Sequence, residues 1–197
     1  ILRPVGDALR SVGVAPEAVA DVVITHMHYD HAGNAALFPN ATFHLQDREM
    51  AYCTGRCMGH AALRFPFDVD DVQAMVGKVF GGRVRFHDGD GEVAPGVTVH
   101  RVGGHTHGLQ VVRASTARGR VVLASDASHY YANLEQRRPF PIVVDVAAML
   151  DAYDTVLRLA DSPDHWIPGH DPLVLARYPA PEPALQGWVA RLDVPPR

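Results

Sequence analysis

The 197 residues are 47% hydrophobic and 20% charged, a balance that excludes a disordered or fibrous chain and fits one globular domain over 1–197. A formal net charge of -4 and a pI near 6.3 leave no basic face for a nucleic-acid backbone, and Arg137-Arg138 is the longest basic run. No apolar stretch approaches the roughly 18 residues of a membrane span, so neither nucleic acid nor a membrane is expected as a partner.

In chain order, Ala20–Thr25 is a β-branched apolar run that reads as a strand and delivers the chain directly into His26. Ala32–Leu37 is suited to a helix and Ala41–Leu45 to a second strand, with Asp47 as the cap of a helix through Met50. From Arg83 the pattern predicts consecutive antiparallel strands at 84–86, 97–102, 109–114 and 120–124, separated by Gly and Asp turns. Asp145–Leu159 places Val146, Met149, Leu150, Tyr153, Val156 and Leu157 at the spacing of an amphipathic helix packing on a sheet. A last strand, Trp166-Ile167, ends at Pro168-Gly169-His170.

Cys53 and Cys57 are too few and too close together for a disulfide framework, and no signal peptide is visible, so the expected compartment is cytoplasmic. With His60 they resemble a metal knuckle, but the spacing is wrong and a fourth ligand is missing, so small buried thiols are the better reading. Ile1 is not an initiator methionine, and the natural amino terminus is expected upstream.

Twelve histidines are the more unusual number, because imidazole is the commonest metal ligand. Three of them and a carboxylate fall within His26-Met27-His28-Tyr29-Asp30-His31, at a strand exit where a tight turn aims several side chains at one or two ions. His105 in Gly103-Gly104-His105, Asp126 at the end of Val121–Ser125, and His170 after Pro168-Gly169 each follow an apolar strand as well. Singly, each is weak; strand ends on one sheet edge converge, which gives the set its weight. His44, His87, His100 and His165 read as structural or exposed, and His107 is left open between a supporting and a substrate-facing role.

These four elements, in this order, resemble the signature of the metallo-β-lactamase superfamily: His-x-His-x-Asp-His, then Gly-His, a strand-end Asp and a final Gly-His. The stretches His26–Asn34, Asp126-Ala127-Ser128 and Gly169-His170-Asp171 are most similar to its N-acyl-homoserine lactonases and related lactonases. The resemblance implies an α/β fold, an αββα sandwich, and two divalent metal ions, zinc first, with iron, manganese or cobalt also suited to N and O ligands. It implies His26, His28 and His105 on one ion, Asp30, His31 and His170 on the other, and Asp126 bridging. Family members place an early sheet ahead of the His-x-His motif; few residues precede His26 here, so part of the amino-terminal half is expected to be missing.

Two ions about 3.5 to 4 Å apart lower the pKa of a shared water toward neutrality, so a bridging hydroxide is expected to attack a lactone carbonyl. The resemblance implies that Asp30 carries the proton to the leaving alkoxide. A lactonase has a tyrosine three residues after the bridging aspartate. This sequence has His129 there and Tyr130 next, and a helix after Asp126 would put both on one face as oxyanion donors, with Tyr130 favoured as a neutral phenol. The expected partner is a small lactone or ester, and the sequence sets no oligomeric state. A glyoxalase-II-like thioesterase is disfavoured by the short stretch after His170, a nuclease by the acidic balance, and a Cys-liganded β-lactamase by Asp126. A mono-iron sulfur dioxygenase would not need Asp30 and His31, and a non-catalytic scaffold would bind metal without turnover.

Overall fold

The β-branched run before His26 forms strand β1 (Asp21–Val23) in the computed structural model, which describes residues 4–197. Residues through Asp88 make one compact unit and Gly89–Arg197 a second, each with its own sheet.

In the first unit a short helix α1 (Val5–Ser11) precedes β1, which pairs in parallel with β2 (Thr42–Gln46). Between them stand one helical turn α2 (Tyr29–Ala32) and a 3-10 turn (Ala35–Leu37), not the single helix expected over Ala32–Leu37. Gly33 and Asn34 are poor helix formers and break it, so the turn falls inside the histidine motif. Helix α3 (Asp47–Cys53) starts at Asp47, but Gln46 is its N-cap and Asp47 acts as an acidic first-turn residue. Helices α4 (Ala61–Arg64) and α5 (Val69–Phe80) follow. Asp68 Oδ1 caps α5 by accepting from the Asp70 N–H at 2.9 Å, and Asp70, Asp71 and Lys78 sit at the ends where the helix dipole favours them.

Strand β3 (Val84–His87) corrects the expectation of an antiparallel run: it pairs in parallel with β2. The helices between β2 and β3 form the crossover a parallel pair requires. Phe43 and Leu45 of β2 are fully buried in a core shared with Ile24, Met27 and Met75. Arg83 ties the sheet's entrance together, donating to Phe38 O at 2.7 Å and Ala41 O at 2.9 Å across the ring of Phe43.

A polar chain runs from exposed Asp21 to two buried histidines of this sheet: Asp21 Oδ1 lies 2.9 Å from His44 Nε2, and His44 Nδ1 lies 3.0 Å from His87 Nε2. Burial holds the His87 pKa below its ordinary 6.5; His44 and Arg85 push the same way and Asp47 opposes. His87 is therefore neutral when folded, and its stabilising contribution is full above 6.5 and lost as pH falls from there toward the folded-state value. Urea midpoints of the wild type are expected to drop below pH 6.5, with a shallower drop in His87→Gln; equal slopes would remove His87 from the acid response.

In the second unit, β4 (Gly91–Ala94), β5 (Val97–Arg101), β6 (Gln110–Thr116) and β7 (Gly119–Ser125) are antiparallel neighbours in that order. Helix α6 (Tyr131–Glu135) and the expected helix, α7 (Val146–Leu159), come before β8 (Trp166–Pro168), which pairs in parallel with β7. A last short helix α8 (Leu173–Arg177) follows. Asp145 caps α7 by accepting from the Ala148 N–H at 3.0 Å. Met149, Tyr153 and Val156 of α7 share a core with Leu109, Val111, Val122 and Trp166. No helix among the described residues is long and apolar enough to cross a membrane.

Candidate metal centre

The chain leaves β1 through Ile24 and Thr25 and turns so that His26 and His28 are buried with ring centroids 4.5 Å apart, edge to face. The His31 ring lies 4.1 Å from that of His26, and Thr25 Oγ1 stands 3.2 Å from His26 Nδ1 and 3.4 Å from His31 Nδ1. Helical turn α2 brings Asp30 beside His31, Oδ2 to Nε2 at 3.4 Å. The four motif side chains of the first unit are thus gathered on one loop. Glu49, fully buried on α3, pins that loop by accepting from the Met27 N–H at 2.8 Å. Sequence reasoning missed it, because a glutamate inside a helix reads as part of a solvated face.

In the second unit the sequence candidates His105, Asp126, His129 and His170 come together. Oδ2 of buried Asp126 lies 3.3 Å from His105 Nε2 and 3.0 Å from His129 Nε2, and its Oδ1 lies 3.1 Å from His170 Nε2. The His105 Nδ1 is 2.6 Å from Ile142 O. A carbonyl only accepts, so Nδ1 carries the hydrogen, and in the neutral ring Nε2 turns a lone pair toward the carboxylate. Two lone-pair atoms at that distance need a cation or a proton to hold them together. His105, Asp126 and His129 each offer a ligand atom, all within 4.8 Å of one another, so the donor set suits a metal ion.

Local backbone makes this arrangement possible. Gly104 has φ +88°, and a Cβ there would meet the backbone of Met149 at 2.7 Å, so only glycine lets α7 close on the His105 loop. Ser125 holds φ +47° where β7 turns to present Asp126, a left-handed conformation that costs energy in a non-glycine residue. Gly169 passes so near that an added Cβ would lie 2.9 Å from Ser125 C and O and 3.1 Å from Asp126 Oδ1. Gly169 and His170 N–H groups donate to Ser128 O and His129 O at 3.0 and 2.9 Å, fixing the two strand exits to each other. Gly169→Ala is expected to cost about 1 to 3 kcal/mol through overpacking and to displace Asp126. A lower thermal midpoint together with reduced metal content checks it; an unchanged metal content would show that the exits shift without moving the carboxylate.

His129 and Tyr130 do not share a helical face. A turn at 126–127 is followed by irregular, bent chain through 130, and α6 begins only at Tyr131. His129 is buried, stacked on Phe140 with centroids 4.0 Å apart, whereas Tyr130 is 38% exposed and its N–H donates to Asn133 Oδ1 at 2.9 Å. Asp171 is structural: its two oxygens accept from the N–H groups of Tyr131 and Leu173, both at 2.9 Å. His107 is exposed; His44, His87 and His100 are buried in side-chain contacts of the sheets. Cys53 is buried and Cys57 half-buried, both as free thiols, and His60 is exposed.

A family model described as the metallo-beta-lactamase superfamily matches residues 2–174. The chain belongs to the metallo-β-lactamase superfamily. Its α/β class with two sheets is the one the resemblance implies. An N-acyl homoserine lactonase of a Bacillus species is 30% identical over 135 residues, covering 67% of this chain and 48% of the relative. Human metallo-beta-lactamase domain-containing protein 1 is 30% identical over 185 residues, 91% of this chain and 58% of that protein. A solved N-acyl homoserine lactone hydrolase, with the product N-hexanoyl-L-homoserine bound at its catalytic metal center, superposes with a TM-score of 0.67 at 27% identity. That superposition covers 85% of this chain and 62% of the other. Within the metallo-β-lactamase superfamily the chain therefore falls in the lactonase-like branch, and it spans about half the length of the lactonases it matches.

Proposed function

We propose that this metallo-β-lactamase chain, 1–197 acting as one hydrolase domain, opens a lactone ring by metal-assisted hydrolysis, with N-acyl homoserine lactones the first candidate substrates. The observation that carries the proposal is the buried Asp126 carboxylate surrounded by the imidazole nitrogens of His105, His129 and His170, with the His105 tautomer set by Ile142 O. Similarity to lactonases supports the substrate class.

On this reading His26, His28 and His105 would hold one divalent ion and Asp30, His31 and His170 the other, with Asp126 shared and zinc the first choice. Two such ions, when bound, would supply hydroxide at neutral pH and polarise the carbonyl. The chain's own groups do the rest. Asp30, exposed beside His31, would take up the proton that the attacking water loses and pass it to the leaving alkoxide. Tyr130 donates its O–H to the developing oxyanion. His129 holds Asp126 in place.

Elemental analysis of purified protein, paired with proton release from a lactone panel, tests the reading: about two ions per chain and ring opening are expected. Folded protein without metal overturns the metal centre. Two ions with no turnover of lactones, esters or thioesters overturns the enzyme and leaves a metal-binding scaffold.

A further inference from the structure

His129 does more in the second unit than touch Asp126. Its Nε2 lies 3.0 Å from Asp126 Oδ2, the same oxygen that stands 3.3 Å from His105 Nε2, and all three residues are buried. His129 Nδ1 is buried and has no hydrogen-bond partner among the described residues, so the polar contact of this ring runs through Nε2. One segment aims both imidazoles. Phe140 stacks on the His129 ring with centroids 4.0 Å apart and planes 17° from parallel, and two residues further on Ile142 O fixes the His105 tautomer.

Hydrogen bonding alone does not account for this arrangement. If His129 donates from Nε2 to Oδ2, the oxygen is satisfied, but the His105 lone pair still faces an anion. The 3.3 Å separation is also long for a charge-assisted hydrogen bond, where roughly 2.7 to 2.9 Å is usual. Two ligand atoms each about 2.0 to 2.1 Å from one ion, at angles of about 90° to 110°, lie roughly 2.8 to 3.4 Å apart, and both separations fall in that window. The three ligand atoms lie within 4.8 Å of one another, close enough to share one ion. Two imidazoles and a carboxylate suit a divalent first-row transition ion rather than magnesium or calcium, which take oxygen ligands.

We infer that His129 is itself a metal ligand, so that His105, Asp126 and His129 bind one divalent transition ion within the second unit and do not need the His26–His31 loop to do so. This adds a ligand to the ion that the proposed function gives to His105, and it rests on that reading only in placing metal there. Three protein ligands leave room for water on the ion, the pattern of a catalytic site rather than a closed structural one.

The test titrates the full chain, stripped of metal, with cobalt(II) and reads binding by calorimetry and visible absorption. A first-unit variant carrying His26→Gln, His28→Gln and His31→Gln is expected to keep about one ion per chain. Adding His129→Phe should weaken that ion at least about a hundredfold, beyond the ten- to hundredfold typical of losing a group that only orients a ligand. Adding His170→Gln instead should leave it nearly unchanged. A first-unit variant that stays folded by circular dichroism yet binds no cobalt overturns the inference. So does binding that survives His129→Phe, or that is lost in His170→Gln alone. If the first-unit variant does not fold, the wild type decides: in protein loaded with spin-active cadmium and nitrogen-labelled histidine, coupling between cadmium and His129 Nε2 supports ligation. Coupling at His105 without coupling at His129 overturns it. Wild type that binds no metal overturns the metal centre as a whole, whereas two ions held equally tightly with and without His129 leave the proposed function standing and remove this ligand alone.

Discussion

Asp126→Asn is expected to lower kcat at least about a hundredfold on any lactone the wild type opens, and to reduce bound metal below two ions per chain. The carboxylate presents both oxygens to three imidazoles, so no part of it is spare. An amide of the same shape replaces one oxygen with an N–H donor and removes the negative charge that would offset cations held nearby. His105 cannot compensate by turning over, because Ile142 O holds its Nδ1–H. Asp154→Asn is the matched control: it breaks a 2.7 Å pair with Arg137 on the exposed surface, where such pairs contribute little. Elemental analysis and single-turnover rates on both variants check the contrast. Near-normal rate and metal content in Asp126→Asn would reduce Asp126 to an ordinary strand-end residue.

Much of this arrangement was legible before any coordinates. Helix α7 announced itself because six apolar residues repeat at helical spacing behind an aspartate that does cap it. The candidate ligands were legible because each follows an apolar strand. The direction of β3 was not. Val84–His87 reads the same in a parallel or antiparallel pair, and only the helices between β2 and β3 decide it. β4 escaped because Gly91 and Ala94 leave a four-residue strand without a clear alternation. Glu49 and the Ile142 carbonyl escaped for a different reason: one is a buried charge on a helix and the other a backbone atom, and neither has a residue-type signature.

The neighbouring pair after Asp126 shows what local backbone decides. A helix there would have sent His129 and Tyr130 to one face, and residue chemistry alone would then choose between them. The left-handed Ser125 and the turn that follows separate them instead, burying His129 against Phe140 and leaving Tyr130 exposed. The two side chains should therefore fail differently. His129 Nε2 stands 3.0 Å from Asp126 Oδ2, so His129→Ala is expected to lower metal content, with activity falling in proportion to the metal lost. Tyr130 has no such contact with the carboxylate, and a phenol O–H can donate a hydrogen bond. Tyr130→Phe is then expected to lower kcat about ten- to a thousandfold, the range for losing one oxyanion donor, with metal content and KM nearly unchanged. Metal analysis and steady-state kinetics on both variants separate the roles. If Tyr130→Phe is silent and His129→Ala loses rate while keeping its metal, the donor is His129; if both keep full rate, the carbonyl is polarised without help from either side chain.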